Sequence, residues 1–504
     1  MLASIPSATL LGVDGHPVTV EVHVTVGLPK FTLVGLPDTA CRESRDRVRA
    51  ALVSSGIGWP NKRITVNLAP SALRKLGACL DLAIAVGLLV AGDDIPAAAI
   101  DGMGFIGELG LDGTIRPVPG VLSLVDAVDC PRVVVGPRAH REATLLGRHK
   151  VLVARTLAEL VSALQGLGPW ADPPSPPPPG PVGPPTLDLA EVRGQPLARF
   201  ALEVAAAGGH HVLLVGPPGA GKTMLARRLP GLLPDLDDRA ALEATRIHSA
   251  AGAERVGEAL VRRPPFRAPH HGASSVSLVG GGHGAIRPGE ISLAHGGVLF
   301  LDELGEFQPN VLDALRQPLE EGVVRVARAA LRVELPARFL LVAAMNPCPC
   351  GEGGPPGACR CGSSARARYS RRVSGPLLDR FDIRVEVCRP EVTQLLRGAE
   401  EESSETVASR VAAVRALAVE RGVRANSELR GKTVDRVAPL TDAATNVLES
   451  ALRAGRLSGR GVDRVRAVAR TIADLRQEQV VDAEHVALAL NLRTDLFRRE
   501  TRVA

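Results

Sequence analysis

Residues 211–223 read HVLLVGPPGAGKT, a short apolar run followed directly by a glycine-rich loop. The apolar run is typical of a buried strand, and MLARRL after the loop is typical of a helix. This setting matches the phosphate-binding pattern G-x-x-x-x-G-K-[ST]. Lys222 would reach the β- and γ-phosphates of ATP, and the Thr223 hydroxyl would bind Mg²⁺. The loop itself, whose backbone N–H groups would face the phosphates, consists of Gly216, Pro217, Pro218, Gly219, Ala220 and Gly221.

A second apolar run, VLFL at 298–301, ends directly in Asp302 and Glu303. A parallel sheet binds its ligands at the carboxyl ends of its strands, so these carboxylates are expected beside the glycine-rich loop. Asp302 suits the coordination shell of Mg²⁺, and Glu303 can polarise the attacking water. Together with the loop, the pair predicts hydrolysis of a nucleoside triphosphate.

Two further elements supply candidate catalytic side chains. RFLLVAAMN at 338–346 reads as a strand that ends in Asn346, whose amide could orient the water. SGPLLDRFDIRVEV at 374–387 places Arg380 between apolar segments, where it could stabilise transition-state charge on a neighbouring subunit's phosphate. A surface ion pair of Arg380 with Asp379 or Asp382 is an equally good interpretation of the residues alone.

The composition divides the chain into four parts. Residues 171–186 are proline-rich and predict an exposed, semi-rigid linker. Before it, residues 1–170 alternate strand runs such as RITVNLA at 63–69 with helical runs, an α/β pattern. After it, residues 187–390 predict a parallel sheet with helical crossovers, and 391–504 an all-helical domain.

The charge and cysteine content restrict the function. A net charge of +6 over 504 residues permits an anionic partner without requiring one. Aromatic residues make up only 2%, which argues against extensive base stacking. No signal peptide and no run of about 18 apolar residues is evident, so a cytoplasmic protein without a membrane partner is expected.

In order along the chain, these motifs resemble those of an AAA+ ATPase, and more narrowly those of the Mg-chelatase-like YifB/ComM family. The blocks that carry the resemblance include GQPLARFALEVAAAGGHHVLLVGPPGAGKTMLA, FRAPHHGASSVSLVGGG, RPGEISLAHGGVLFLDELGEF, AAMNPCPCG and RYSRRVSGPLLDRFDI. The resemblance covers nearly the whole length. It implies an N-terminal Lon-protease-like domain, a P-loop core with a β-hairpin insert, and a helical lid.

The resemblance also assigns roles to residues. It implies Walker A at 216–223, Walker B at Asp302 and Glu303, sensor 1 at Asn346 and an arginine finger at Arg380. It implies a sensor 2 arginine early in a helix at 462–475, either Arg464 or, in another register, Arg466. Residues 322–338 resemble the family's β-hairpin, which would direct basic side chains towards a central pore: Arg325, Arg328 and Arg332.

The N-terminal part departs from the Lon pattern. Cys79 stands at the position of the protease serine and Leu122 at that of the lysine. Without an amine to accept the proton there is no Ser–Lys dyad, so no peptidase activity is expected. Cys79 lies in an apolar run and is better interpreted as a buried small hydrophobic residue.

Four of the eight cysteines fall within NPCPCGEGGPPGACRC at 346–361, where Cys348, Cys350, Cys359 and Cys361 form two C-x-C pairs. A turn between the pairs would bring four sulfurs to one tetrahedral ion, Zn²⁺ being the candidate. The spacing is tighter than the usual C-x₂₋₄-C, so reduced thiols in a rigid loop or a redox sensor are alternatives. His270 and His271 are alternative ligands, or polar contacts in a loop.

The resemblance implies a ring-forming ATPase, expected to be a hexamer, in which each subunit's arginine completes the neighbouring site. Relatives of the ComM type are DNA branch-migration helicases in recombination of incoming DNA, so single-stranded or branched DNA is the expected partner. The rival interpretation is a Mg-chelatase-type motor subunit that remodels a protein partner.

Overall fold

The computed structural model describes residues 1–175, 187–252, 259–282, 286–328, 331–353, 359–397 and 401–493. Residues 176–186, most of the predicted proline-rich linker, lie outside these ranges. The prediction of an α/β protein built around a parallel sheet is confirmed.

The N-terminal region folds as an α/β unit. Its strands are β1 (Leu2–Leu11), β2 (Asp14–Thr25), β3 (Lys30–Val34), β4 (Arg63–Ala69), β5 (Met103–Phe105), β6 (Glu108–Leu109), β7 (Ile115–Arg116), β8 (Arg132–Val135) and β9 (Lys150–Val153). Its helices are α1 (Thr39–Arg42), α2 (Ser44–Ser54), α3 (Asp81–Ala91), α4 (Val121–Ala127), α5 (His140–Thr144) and α6 (Leu157–Leu164). The main sheet has the order β1-β2-β4-β3, and β5, β8 and β9 form a smaller parallel sheet.

Helix α3 is buried along its whole length because it packs on the main sheet. Gly87 makes this approach possible, since a Cβ there would come within 2.5 Å of Val22 Cγ2. The alternation of buried and less buried residues along β2 and β4 gives the sheet one fully covered face.

The central region contains the parallel sheet. Its strands are β10 (Val212–Val215), β11 (Phe266–Arg267), β12 (Gly280–Gly281), β13 (Arg287–Pro288), β14 (Val298–Leu301), β15 (Val323–Arg328), β16 (Leu331–Pro336), β17 (Leu340–Met345) and β18 (Ile383–Glu386). Its helices are α7 (Pro196–Gly208), α8 (Lys222–Arg228), α9 (Asp238–Ala250), α10 (Ser275–Val279), α11 (Glu290–Leu293), α12 (Pro309–Asp313), α13 (Arg316–Glu321), α14 (Ser363–Ser370) and α15 (Gly375–Leu378).

Five strands pair in the order β11-β14-β17-β10-β18, and all four pairings are parallel. Strands β10, β14 and β17 are buried throughout, as expected for a sheet covered on both faces. Val215 aligns with Met345 on one side and with Glu386 on the other. The carboxyl ends of β10, β14 and β17 therefore meet at one edge. Strands β15 and β16 form the predicted hairpin.

The C-terminal region is helical, with α16 (Val392–Arg397), α17 (Ser404–Glu420), α18 (Lys432–Val437), α19 (Asp442–Arg453), α20 (Gly459–Leu475) and α21 (Ala483–Asn491). Its apolar residues share one core with α7 and one face of the parallel sheet. The other face of the sheet packs in a separate core with α12 and the hairpin.

The N-terminal region rests on α9 and on the hairpin. Ser249 of α9 accepts a hydrogen bond from Gly120 N at 3.1 Å and donates its hydroxyl to Glu142. Arg246, one turn earlier, pairs with Asp126. Val13 is buried in the same core as Val333 of the hairpin. The two regions thus meet through both polar and apolar contacts. In the described part of the chain, no helix has the length and apolarity that a membrane crossing requires.

Candidate nucleotide site

The glycine-rich loop at 216–223 links β10 to α8 and has the backbone that only glycine adopts easily. Gly219 and Gly221 have φ of +77° and +90°. Gly216 has a different reason to be glycine, because a Cβ there would lie 2.0 Å from the carbonyl oxygen of Val387. The loop is therefore pressed against the residue that follows β18.

Lys222 is the first residue of α8, and only 9% of it is exposed. Its Nζ donates to Gly216 O at 2.6 Å, to Pro217 O at 2.9 Å and to Asn346 Oδ1 at 3.1 Å. Burial lowers the pKa of Lys222, while Asp302 and Glu303 act in the opposite direction. The ammonium group thus lies inside the loop where phosphates are predicted, in contact with the predicted sensor.

Thr223 and Asp302 meet at the same edge. The Thr223 hydroxyl donates to Asp302 Oδ2 at 2.7 Å, and Asp302 Oδ1 accepts from Glu303 N at 3.0 Å. A hydroxyl and a carboxylate oxygen are the donor set that Mg²⁺ takes in nucleotide sites, so these residues fit the ion. When bound with ATP, Mg²⁺ would neutralise phosphate charge; the chain's part is to present these two oxygens together.

Glu303 follows Asp302 in an unusual backbone conformation. Its φ is 54° and its ψ is 48°, the left-handed region that residues other than glycine seldom adopt. One carboxylate oxygen lies 3.1 Å from His271 Nδ1, and the rings of His270 and His271 are 4.0 Å apart. His271 thus contacts Glu303, the predicted catalytic base. From the sequence alone, His271 is only a polar contact in a loop or an alternative metal ligand.

Asn346 and the nucleotide loop are held by two neighbours that the motifs did not indicate. Tyr369, the only tyrosine, is buried, and burial raises its pKa to about 12 while its hydroxyl contacts the Asn346 backbone. Gln195 Nε2 donates to Ala220 O at 3.1 Å and to Cys388 O at 2.5 Å. A buried glutamine just before a helix carries no sequence signal that separates it from ordinary capping residues.

Arg380 and Arg464 lie elsewhere. Arg380 is just before β18, at the amino end of the sheet and therefore at the edge opposite the nucleotide loop. Its guanidinium pairs with Glu320, and its Nη1 donates to Pro376 O at 2.7 Å. No contact with Asp379 or Asp382 is formed by the Arg380 side chain among the described residues.

Arg464 of α20 lies beside this arginine. Its Nη1 donates to Arg380 O at 2.9 Å and to Asp382 Oδ1 at 2.6 Å. Arg466, the other candidate for sensor 2, pairs instead with Asp435 at 2.5 Å. The structure therefore brings together Lys222, Thr223, Asp302 and Asn346, and separately Arg380 with Arg464.

The hairpin carries less unbalanced positive charge than its arginine-rich sequence suggests. Arg325 pairs with Glu334 at 2.8 Å and with Glu321, so its charge is balanced locally. Arg332 is exposed, and the side chain of Arg328 lies outside the described part.

In the N-terminal region Cys79 is buried, and its thiol donates to Leu76 O at 3.5 Å. Burial raises the pKa of the Cys79 thiol far above its ordinary value. Leu122 is also fully buried, and its N–H donates to Glu142 Oε1 at 2.8 Å. Neither the thiol nor its surroundings offer an activated nucleophile.

The four clustered cysteines are free thiols whose sulfurs all lie within 4.8 Å of one another. Of the two alternative ligands, His271 contacts Glu303 instead, and His270 packs against the His271 ring.

Three family models match the chain. Residues 188–395 match "Magnesium chelatase, subunit ChlI", residues 20–133 match "Subunit ChlI of Mg-chelatase", and residues 401–493 match "Magnesium chelatase, subunit ChlI C-terminal".

Full-length relatives are also found. An uncharacterized protein of Mycobacterium tuberculosis is 46% identical over 98% of this chain and 99% of its own length. Competence protein ComM of Haemophilus influenzae is 43% identical, and the uncharacterized protein YifB of Escherichia coli is 42% identical. Each of these two alignments covers 98% of this chain and 97% of the relative.

Proposed function

Because the chain belongs to the YifB/ComM family of Mg-chelatase-like AAA+ proteins, we propose that it is an ATP-hydrolysing ring motor that moves along DNA. The observation that supports ATP hydrolysis is that four predicted site residues meet at one edge of the sheet. Thr223 contacts Asp302 at 2.7 Å, and Lys222 contacts Asn346 at 3.1 Å. These residues follow the ends of three strands, β10, β14 and β17, that are far apart in sequence, and a nucleotide site requires this set together.

Each residue then has a role in the proposed reaction. Lys222 binds the β- and γ-phosphates, and Thr223 with Asp302 holds Mg²⁺. Glu303 orients the attacking water and accepts its proton, and Asn346 fixes the position of that water. Lys222 is buried, which strengthens its electrostatic contacts with phosphate.

The position of Arg380 supports the proposal of a ring. An arginine at the amino end of β18 faces away from its own nucleotide loop, so it can act only on a neighbouring copy packed head to tail. Such heterologous interfaces close into rings. We expect a hexamer, and a cytoplasmic location suits a protein that meets both ATP and DNA.

An anionic polymer as the partner is supported by the charge distribution near the sensor. Residues 359–372 contain five arginines and no acidic residue. Arg360, Arg368 and Arg371 are exposed, as is Arg332 at the hairpin. Such side chains would contact phosphates without reading sequence.

The test is ATP hydrolysis by the full-length protein with forked, single-stranded and duplex DNA. We expect DNA to stimulate turnover and added salt to reduce the stimulation. Arg332→Ala should lower the stimulation while leaving basal turnover unchanged. Arg453→Ala, which removes a highly exposed arginine of α19, is the matched control and should have no effect.

The rival is a motor subunit of the Mg-chelatase type that acts on a protein partner. This rival is supported by the three matching family models, all of which are named after subunit ChlI of magnesium chelatase. Equal turnover with and without every DNA would contradict the DNA proposal and favour this rival. A lack of ATP hydrolysis in all conditions would contradict both.

A further inference from the structure

Four cysteine side chains meet directly after β17, outside the contacts used above. Cys348 Sγ lies 3.3 Å from Cys350 Sγ and 3.5 Å from Cys359 Sγ, and the Cys350 and Cys359 sulfurs are 3.6 Å apart. Cys361 completes a group in which every sulfur is within 4.8 Å of the others. The cysteine cluster is defined as these four residues.

The spacing matches a single tetrahedral ion. Four sulfurs at about 2.3 Å from Zn²⁺ are about 3.8 Å from one another, close to the distances found. A disulfide would require about 2.05 Å. An iron–sulfur cluster, with several metal atoms between its ligands, would hold the sulfurs further apart. The tight C-x-C spacing is no obstacle, because both members of the first pair already reach the common centre.

The segment that carries the first pair also touches the nucleotide loop. Gly351 has φ +85°, and a Cβ there would lie 2.7 Å from Pro218 Cδ. Arg389 links the two segments, since its Nε donates to Pro218 O at 3.4 Å and its Nη2 lies 3.1 Å from Glu352. Any ion that fixes Cys348 and Cys350 therefore fixes a wall of the nucleotide loop.

We propose that Cys348, Cys350, Cys359 and Cys361 bind one Zn²⁺ as four thiolates, and that this ion holds the 348–353 segment against Pro218 to keep the nucleotide loop in its binding conformation. Binding releases the four thiol protons and leaves a dianionic site, with Arg360 exposed between two ligands. Residues 354–358 lie outside the described part, and the proposal uses none of them. The proposed effect of the ion on the nucleotide loop rests on the proposed ATP site.

The first experiment measures metal in the purified full-length protein. We expect about one zinc per chain by elemental analysis, with zinc reduced in each single Cys→Ser variant of the cluster. Cys388→Ser is the matched control, because Cys388 is an exposed thiol outside the cluster, and it should retain zinc. Replacement with Co²⁺ should give the visible spectrum of a tetrahedral all-sulfur site.

Three results would each overturn the metal site. The wild-type protein could contain no metal and have four thiols that react with an alkylating reagent. It could contain a stoichiometric metal other than zinc, or its Co²⁺ form could show the spectrum of a site with mixed ligands. Because a Cys→Ser variant could fail to fold, zinc is also removed from the folded wild type with a mercurial, which binds the thiolates; excess dithiothreitol then removes the mercurial, and ZnCl₂ restores the ion.

The proposed effect of zinc on the nucleotide loop is tested with a fluorescent ATP analogue. Removal of zinc should weaken its binding roughly tenfold, and added Zn²⁺ should restore it. Gly351→Ala keeps all four ligands, so it should retain zinc yet weaken the analogue. Unchanged affinity after zinc loss overturns the link to the loop but not the metal site. No binding by zinc-loaded wild type would instead contradict the proposed ATP function.

Discussion

Replacement of Arg380 by alanine should abolish turnover without abolishing ATP binding. Strand β18 runs in register with β10, Ile383 beside Val212 and Glu386 beside Val215. Gly216 is therefore level with Val387, and four residues at about 3.3 Å each, roughly 13 Å, separate that level from Ile383, with Arg380 a further three residues back along the chain. An extended arginine reaches only roughly 7 Å from its Cα, so Arg380 cannot contact its own nucleotide.

The expected loss is large. An arginine supplied to a phosphoryl-transfer site by a partner is worth about 10³ to 10⁵ in kcat. At about 1.36 kcal/mol per factor of ten, this corresponds to about 4–7 kcal/mol of transition-state stabilisation. Steady-state hydrolysis measures the loss, and a fluorescent ATP analogue should bind Arg380→Ala with nearly wild-type affinity.

The matched control separates a catalytic from a structural role. Arg380 pairs with Glu320, which is 58% exposed, so breaking this pair alone should change stability by less than about 1 kcal/mol. Glu320→Gln removes the pair and keeps the arginine. If Glu320→Gln loses as much activity as Arg380→Ala, the ion pair and not the contributed arginine explains the effect.

Mixing supplies the decisive measurement. Lys222→Ala and Arg380→Ala are each expected to be inactive, yet in a one-to-one mixed ring roughly a quarter of the junctions combine an intact Lys222 with an intact Arg380. Turnover should therefore recover towards that fraction. If the mixture stays as inactive as its components although mixed rings form, Arg380 does not act between subunits.

Three further predictions follow from single residues. Glu303→Gln should retain ATP and slow hydrolysis by at least about 100-fold, with ATP-bound rings visible by size-exclusion chromatography; normal turnover would contradict its role as base. Gly216→Ala should weaken nucleotide binding, because its Cβ would meet Val387 O at 2.0 Å and displace the loop; unchanged affinity would contradict this reason. Asp382→Asn should cost about 3–5 kcal/mol near pH 7 by leaving Arg464 without its buried partner. Burial would raise the pKa of Asp382, but His210, whose Nδ1 lies 3.6 Å from the carboxylate, and the Arg464 charge lower it overall. Its stabilisation is therefore present above the unfolded value of about 3.9 and lost as pH falls towards the folded pKa. The difference from wild type in urea unfolding should shrink below about pH 4, and a difference that stays constant would refute the charge argument.

The elements nearest the predicted site were readable from sequence because each is a short apolar run with a polar residue at its end. VLLV, VLFL and LLVAAM all form strands, and the alternating 322–338 segment forms the hairpin. Parallel strands expose their carboxyl ends at one edge, so the proximity of Lys222, Asp302 and Asn346 followed from topology alone.

Other features depend on tertiary contacts that no local pattern contains. The left-handed backbone of Glu303 and its contact with His271 arise where the 302–306 turn meets the loop after β11. The ion pair of Arg325 with Glu334 depends on the strand register of the hairpin. Strand β1 mixes Ser and Thr with apolar residues and is stabilised by pairing with β2 rather than by its own pattern.

The position of Asp382 links three parts of the molecule that a ring motor would have to move together. Its carboxylate accepts from Arg464 of the C-terminal helices and from His211 N at the start of the nucleotide-loop strand, and Arg464 also holds the carbonyl of Arg380. Asp382 is almost fully buried, so breaking its hydrogen bonds would leave its charge without a partner. The helical region and Arg380 should therefore move as one body. In the proposed ring, a rotation of that body would therefore change the position of Arg380 in the neighbouring subunit's site.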